Sequence, residues 1–403
     1  MSSPTVSFSD PLGRYYTKEI ISRLLISELS SGDPKLVLDL GCGDGALSRA
    51  AISRWTDALY VTVDIDRSPD IFPLSDSGLA IRHLHHQIDA LSPDLMRSIG
   101  IAPESVDLAL CNPPFIKPKW RSDYESILKA AGLVIDRKAV KHASAEFVFI
   151  AQNLTSLKAR GQLGLIVPDG FVSGEKNKAL RAAILNEHSI DSVIKLPQSV
   201  FVGTEAQAHI IIITKNGRSE SPVKLKRFSS LHRESETICV DRLDAVKTLD
   251  YDYYSAMSGD IENDSRTLRS MGCEIVRGQF NSKQARDAGF PVLHTCDLRP
   301  AATLISLAHF ASPPAVHAHI TAEAGDILVA RVGRDLHTRI CMVTDGCMPI
   351  TDCIWRVRVP SQIRDAVLCA LTSPRGRELI KSRAHGVSAR HLPRDYLLDL
   401  PIF

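Results

Sequence analysis

"KLVLDLGCGDGALSRAAISRW", residues 35 to 55, sets an apolar run, a turn with three glycines and an amphipathic helical pattern in direct succession. Strand, turn and helix in that order form a mononucleotide-binding unit. Gly41, Gly43 and Gly45 lack a Cβ, so the backbone can turn tightly and let a ligand come close. The spacing is G-x-G-x-G, with Asp39 before it and Asp44 inside it. Dinucleotide-binding loops read G-x-G-x-x-G and seat a pyrophosphate at a helix N-terminus. Carboxylates crowded around a pyrophosphate repel it; they suit a ligand that carries positive charge and hydroxyls.

The chain continues with "ALYVTVDID", "VDLALCNPPF", "GQLGLIVPDG", "IDSVIKLP" and "AQAHIIIITK", all strand candidates. Helical patterns such as "AEFVFIAQNLTSLKARG" and "EKNKALRAAILNEH" lie between the later ones. Buried parallel strands read as continuous apolar runs, so the expected architecture is α/β: an open, Rossmann-like, mostly parallel sheet with helices on both faces. Ligands of such sheets bind beyond the carboxyl ends of the strands, where "DLGCGDG", "VDID" and "CNPPF" fall. Asp64, ending "VDID", is placed to accept both hydroxyls of a ribose. S-adenosylmethionine, with an ammonium, a sulfonium and a ribose diol, fits this set of acids.

"LALCNPPFIKPKWR", residues 108 to 121, ends a strand on an amide, two prolines and an aromatic ring. An exocyclic aromatic amine is a poor nucleophile because its lone pair is delocalised into the ring. If two acceptors take its hydrogens, the nitrogen is drawn toward tetrahedral geometry. The Asn112 side-chain oxygen and the Pro113 carbonyl are the expected acceptors. Pro114 confines Pro113 to extended geometry and so fixes where that carbonyl aims. Phe115 offers a face for a base to stack on, worth about 1–3 kcal/mol. Positioning and dipoles then supply most of the rate, with no general base.

Residues 13 to 215 resemble the catalytic domain of the gamma-class DNA adenine-N6 methyltransferases, which include TaqI-type enzymes and type I modification subunits. "GRYYTKEIISRLL" resembles the family's first cofactor motif and implies that Thr17 lies near the methionine moiety, although Lys18 stands where the family usually has proline. "LDLGCGDG" is similar to the glycine motif, implying cofactor roles for Asp39, Gly41 and Gly43, and "VDID" puts Asp64 at the ribose. "HHQIDAL" resembles the next motif, whose carboxylate, here Asp89, contacts the cofactor adenine. "NPPF" resembles the catalytic motif, implying that Asn112, Pro113 and Phe115 act at the target base and that Asn112 also borders the cofactor. "LPQSVFVGTEAQAHIIIITK" resembles the late motif, which would make Phe201 the second face of a clamp with Phe115. The resemblance implies sequence-specific adenine methylation of double-stranded DNA by base flipping in a restriction-modification setting. A nuclease partner or a homodimer accompanies that expectation. Ribosomal RNA base methyltransferases and release-factor glutamine methyltransferases share Asn-Pro-Pro and stand as alternatives, as does a DNA-binding subunit without activity.

The strand and helix rhythm is lost at 216–250, where "SESPVKLKRFSSLHRESE" carries scattered charge, and a linker is expected there. Residues 251–403 alternate short strands and turns and then turn helical at "IRDAVLCALTSPRGRELIKSRAHG". "GDILVARVG" and "LTSPRGRELIKSRAHG" resemble the target-recognition unit of type I specificity subunits, implying a smaller α+β domain that reads DNA. Arg331, Arg334 and Arg339 flank an expected hairpin and are candidate DNA contacts, more readily to phosphate than to a base. Lys117, Lys119 and Arg121, just past the catalytic motif, are candidates to steady the displaced strand.

The 403 residues suffice for two domains, and 44% apolar with 23% charged residues is the balance of a water-soluble globular chain. A net charge of +2 neither demands nor excludes a polyanionic partner. Nine cysteines without tight pairing read as reduced thiols. Cys341, Cys347 and Cys353 lack a C-x2-C pair, so no metal is expected. The opening "MSSPTVSFSD" lacks the basic and apolar regions of a signal peptide, and "IIII" at Ile210 to Ile213 is far short of the ~20 residues that span a bilayer. No membrane association and a cytoplasmic location are expected.

Overall fold

Leu36–Leu40 forms β1, and everything in the first part of the chain is arranged around it. The computed structural model describes residues 17–66, 82–136, 140, 144–198, 207–217, 221–228, 236–257, 266–308, 319–386 and 389–402. Two units divide the chain, Met1–Tyr251 and Asp252–Phe403.

In the first unit β1 is joined by β2 (Leu59–Asp64), β3 (His83–Gln87), β4 (Val106–Cys111), β5 (Leu157–Pro168), β6 (Ser189–Lys195), β7 (Ala208–Thr214), β8 (Val223–Arg227) and β9 (Ile238–Val240). The sheet order is β3-β2-β1-β4-β5-β7-β6-β8-β9. β3 through β5 pair in parallel, β7 runs antiparallel between β5 and β6, and β8 is parallel to β6. This is the mostly parallel, Rossmann-like α/β sheet expected. The chain builds leftward from β1 through β2 to β3, then returns to β4 on the other side of β1. That reversal opens a crevice between the carboxyl ends of β1 and β4.

The Ile210–Ile213 run lies in β7, where all seven residues are buried. Covering both faces of a strand removes its alternation, and each isoleucine so covered contributes about 1.5–3 kcal/mol. Helix Glu19–Glu28 buries Ile21, Leu25 and Ile26. It packs tightly on β5, because a Cβ at Gly164 would stand 2.5 Å from Leu25 Cδ2.

Two features differ from expectation. Residues 216–250 are not a plain linker: β8 and β9 extend the sheet and helix Arg242–Lys247 follows. In "VKLKR" only Val223 and Leu225 are buried, so the alternation is two apolar residues long and surrounding charge conceals it. β3, "HLHHQ", adds an edge strand with no fully buried residue. An edge strand has little apolar face to announce it.

The second unit holds a five-stranded sheet in the order Glu274–Arg277, Ile354–Arg358, Ile327–Ala330, Ile340–Asp345, Leu304–Ser306. Its pairings are antiparallel except the last. Helices Arg364–Thr372 and Pro374–Arg383 follow, the second capped by Ser373, whose Oγ accepts from Gly376 N. Gly325 and Gly346 take left-handed φ of 89° and 80° at turns between short strands. Leu328, Val329, Cys341, Ile354 and Leu379 are part of a core that lies wholly within this unit.

Candidate active site

Leu40 at the end of β1 is in register with Cys111 at the end of β4. Gly41 and Asn112 therefore leave the sheet side by side, and Cys111 Sγ donates to Leu40 O at 3.2 Å. After β1 the backbone folds over the end of β2: Gly41 N and Cys42 N donate to Val63 O at 2.8 and 3.2 Å. Gly41, Gly43 and Gly45 have φ of 73°, 51° and 76°, the left-handed region. At Gly41 a Cβ would also stand 3.1 Å from the Phe149 ring. Gly43 N donates to Asp64 Oδ2 at 2.8 Å, and Asp66 N to Asp64 Oδ1 at 3.0 Å, so both carboxylate oxygens are held.

An open-mouthed cavity of about 130 Å³ lies over these strand ends. Its wall includes Thr17, the turn Gly41 to Asp44, Asp64, Asp89, Asn112 and Pro114. Apolar surface comes from Ile65, Leu91, Ile116 and Phe149. Asn112 Nδ2 donates to Thr17 Oγ1 at 3.0 Å, joining two residues 95 positions apart. Asp89 Oδ1 accepts from Leu91 N at 2.9 Å. Three of the described lining residues are acids and none is basic; Arg49 lies 3.2 Å from Asp44, and Arg121 is near enough to Asp89 for their charges to interact. Acids without cations in the wall disfavour a pyrophosphate and fit a cationic ligand with hydroxyls.

Asp39 is not part of that wall. It is 1% exposed, accepts from Ser48 Oγ at 2.6 Å, and its Oδ1 has no hydrogen-bond partner in the structure. Burial pushes its carboxyl up to about 7, with Asp64 and Asp44 adding repulsion and the Ser48 bond opposing. Pro113 is buried, and Phe115 is half-buried against the core around Leu47, Leu110 and Ile210; neither lines the cavity. Phe201 lies outside the described residues.

A family model described as N-6 DNA methylase matches residues 7–236. The chain belongs to this family. Among relatives of the N-6 DNA methylase chain, the type I restriction enzyme HindI methylase subunit of Haemophilus influenzae is 20% identical over 222 residues, covering 52% of this chain and 48% of the relative. Ribosomal RNA large subunit methyltransferase G of Serratia proteamaculans is 32% identical over 99 residues, 24% of this chain and 25% of the relative. The chain thus spans about half or less of the length of these relatives. Among solved structures, the type IIG restriction endonuclease BpuSI matches with a TM-score of 0.49 at 12% identity, covering 95% of this chain and 57% of that one.

The basic candidates divide. Lys117 and Lys119 are exposed, whereas Arg121 bonds to the Asp123 carboxylate at 2.7 Å and to Leu91 O at 3.0 Å and lies 4.9 Å over the Tyr124 ring. Arg331 is half-buried, donates to Asp352 O and lies 5.7 Å from the Trp355 ring centroid; burial lowers its pKa. Arg339 donates to Thr295 O and Leu298 O at 3.1 and 2.8 Å. These two guanidinium groups support the unit's own backbone, which corrects the picture of a hairpin flanked by solvent-facing arginines. Arg334 is exposed.

Sequence reasoning did not single out Phe149, Ile65, Leu91 or Ile116. Phe149 belongs to helix Ala145–Ser156, where eleven of twelve residues are buried, so its face carries no periodic mark. Ile65 is 44% exposed, and an isolated exposed isoleucine directly after Asp64 is the available signal.

Proposed function

We propose that the chain is a sequence-specific DNA adenine-N6 methyltransferase that uses S-adenosylmethionine and acts on a base extruded from the duplex. The observation that carries this reading is one cavity bordered both by the glycine turn with Asp64 and Asp89 and by Asn112 and Pro114 of the Asn-Pro-Pro-Phe motif. Thr17 and the turn at Gly41 and Gly43 hold the amino-acid end of the cofactor, Asp64 its ribose and Asp89 its adenine amine. Asp39 acts from beneath, fixing the turn through Ser48. The cofactor supplies an electrophilic methyl group.

Asn112 does its work through its amide oxygen. Engagement of Nδ2 by Thr17 supports that orientation, because a primary amide held at its nitrogen presents its oxygen at the other side. Together with the Pro113 carbonyl it accepts the two N6 hydrogens and shifts the nitrogen lone pair out of conjugation. The amine so prepared would take the methyl group as its bond to sulfur breaks and a neutral thioether leaves, and one N6 proton would pass by these acceptors to solvent. Phe115 stacks on the extruded base, which requires its ring to leave the core packing seen without DNA. Residues 252–403 read the DNA sequence, and a nuclease subunit or a second copy of the chain completes a restriction-modification assembly. Among the described residues no helix is long and apolar enough to cross a membrane.

Transfer of tritiated methyl groups to duplex DNA, RNA and protein tests the substrate. Label in adenine of duplex DNA is expected. Label in RNA would favour a second reading, which the ribosomal RNA methyltransferase relative supports over a quarter of the chain.

A further inference from the structure

A second groove in the first unit begins two residues beyond Phe115. Lys117 lines one part of it, and Glu175, Lys176 and Lys178 line another, over a floor that includes Ala179 and Val246. Lys117 is 59 positions from Lys176, so only the fold brings them to one groove. The four charged side chains sum to +2 by count, three lysines against one glutamate. Lys178 Nζ lies 3.4 Å from Glu175 Oε1 in an exposed pair, which is worth little. Lys117 and Lys176 have no carboxylate partner among the described residues.

The frame beneath Lys176 is braced. Arg181 is fully buried and donates to Phe171 O at 2.8 Å, Gly174 O at 2.9 Å, Val246 O at 3.2 Å and Lys247 O at 2.7 Å. It therefore ties the segment before Lys176 to the segment that forms the floor. Gly174 admits no side chain, since a Cβ would stand 2.3 Å from Gly170 O, and Asn177 Nδ2 closes the same turn on Gly170 O at 2.8 Å. Two ammonium groups that line one groove without a carboxylate partner gain most from a partner that brings several anionic charges at once.

We infer that this groove holds backbone phosphates of the strand being methylated, next to the target nucleotide, with Lys117 and Lys176 as the contacts. The inference rests on the DNA reading of the neighbouring cavity and adds a place and residues to it. Its location follows from reach: the five residues from Asn112 to Lys117 span at most about 18 Å. A phosphate in the groove therefore belongs to the neighbourhood of the base held at Asn112. Lysine ammonium groups fix register on a duplex without reading sequence, so the groove positions and does not specify.

The test uses the full chain with cofactor and a short duplex that carries the chain's own methylation site, found by sequencing modified adenines in a host expressing it. Variants are Lys117→Ala, Lys176→Ala, the double substitution and Glu175→Gln. Each lysine loss should lower the slope of log K against log salt by about 0.9 and weaken binding equally on duplexes of any sequence. Glu175→Gln should tighten binding several-fold, a gain that misfolding cannot produce. On a duplex whose phosphates beside the target adenosine are neutral methylphosphonates, the lysine losses should vanish. The inference is overturned by a double variant with wild-type salt slope, by a Glu175→Gln variant that binds no better, or by lysine losses that persist in full on the methylphosphonate duplex. If the wild-type chain methylates DNA while any of these occurs, the groove alone is misassigned; if it transfers no methyl group to DNA, the reading of the cavity falls as well.

Discussion

Asn112 Nδ2 donates to Thr17 Oγ1, which helps to orient the amide. Asn112→Ala should leave cofactor affinity by calorimetry near wild type and lower methyl transfer about 10²–10³-fold, as loss of one preorganised polar group does elsewhere. Full activity in that variant would remove the proposed chemistry. Asp39 offers a separate test that needs no substrate. Its carboxyl is raised to about 7 in the folded chain by burial, whereas in the unfolded chain it ionises near its ordinary value of about 3.9. Below that value it is protonated in both states and its contribution is fully present. As pH climbs from about 4 to 7 the unfolded chain loses the proton first, so stability falls by at most about 1.4 kcal/mol per pH unit. Asp39→Asn should flatten that decline in thermal melts of the cofactor-free protein; an unchanged pH profile would mean that Asp39 does not titrate there.

At the scale of elements, the approach of helix Glu19–Glu28 to β5 depends on Gly164, where a Cβ would meet Leu25. Leu25 is 0% exposed and has little room to yield. Gly164→Ala should therefore destabilise by about 1–3 kcal/mol. In urea titrations its effect and that of Leu25→Ala should sum to more than the double variant loses. Strict additivity would show that the two residues do not share the strain. β3, β8 and β9 make a complementary point. β3 and β8 hold too few apolar residues, and β9 is too short at three residues, to signal a strand, and all three add to edges of the sheet where backbone groups await partners. A ladder of backbone hydrogen bonds is indifferent to side-chain type, so such edges extend further than a hydrophobic pattern can reveal.

For the whole molecule, the core around Val37 and Ile210 and the core around Leu328 and Leu379 belong to different units. Chains with separate cores can be cut between them. A version ending at Tyr251 should still bind the cofactor, because every described residue lining the cavity precedes that point. If residues 252–403 are the sequence reader, the shortened chain should lose site preference in methylome sequencing; retention of the full site pattern would assign recognition to the first unit.

The glycine turn, Asp64 and Asn112 were legible in the sequence because each sits in a short local motif at the end of an apolar run, and local motifs need only local geometry; Asp89 was reached only through the family resemblance of "HHQIDAL". The mostly parallel sheet followed from the same alternation of apolar strands and helices, whereas the strand order, with its reversal between β1 and β4, came from the tertiary structure. What tertiary structure alone decided is which side chains share a space. Thr17 meets Asn112, Phe149 meets Gly41, and Lys117 meets Lys176 across distances in sequence that no periodicity spans. It also decided where charge is spent: Arg331 and Arg339 look alike in sequence to free cations, and only packing shows that their guanidinium groups are turned onto backbone carbonyls. The physical reason is common to all of these. A motif states what a residue can do, while burial and the partners that chain folding brings within hydrogen-bond distance decide what it does.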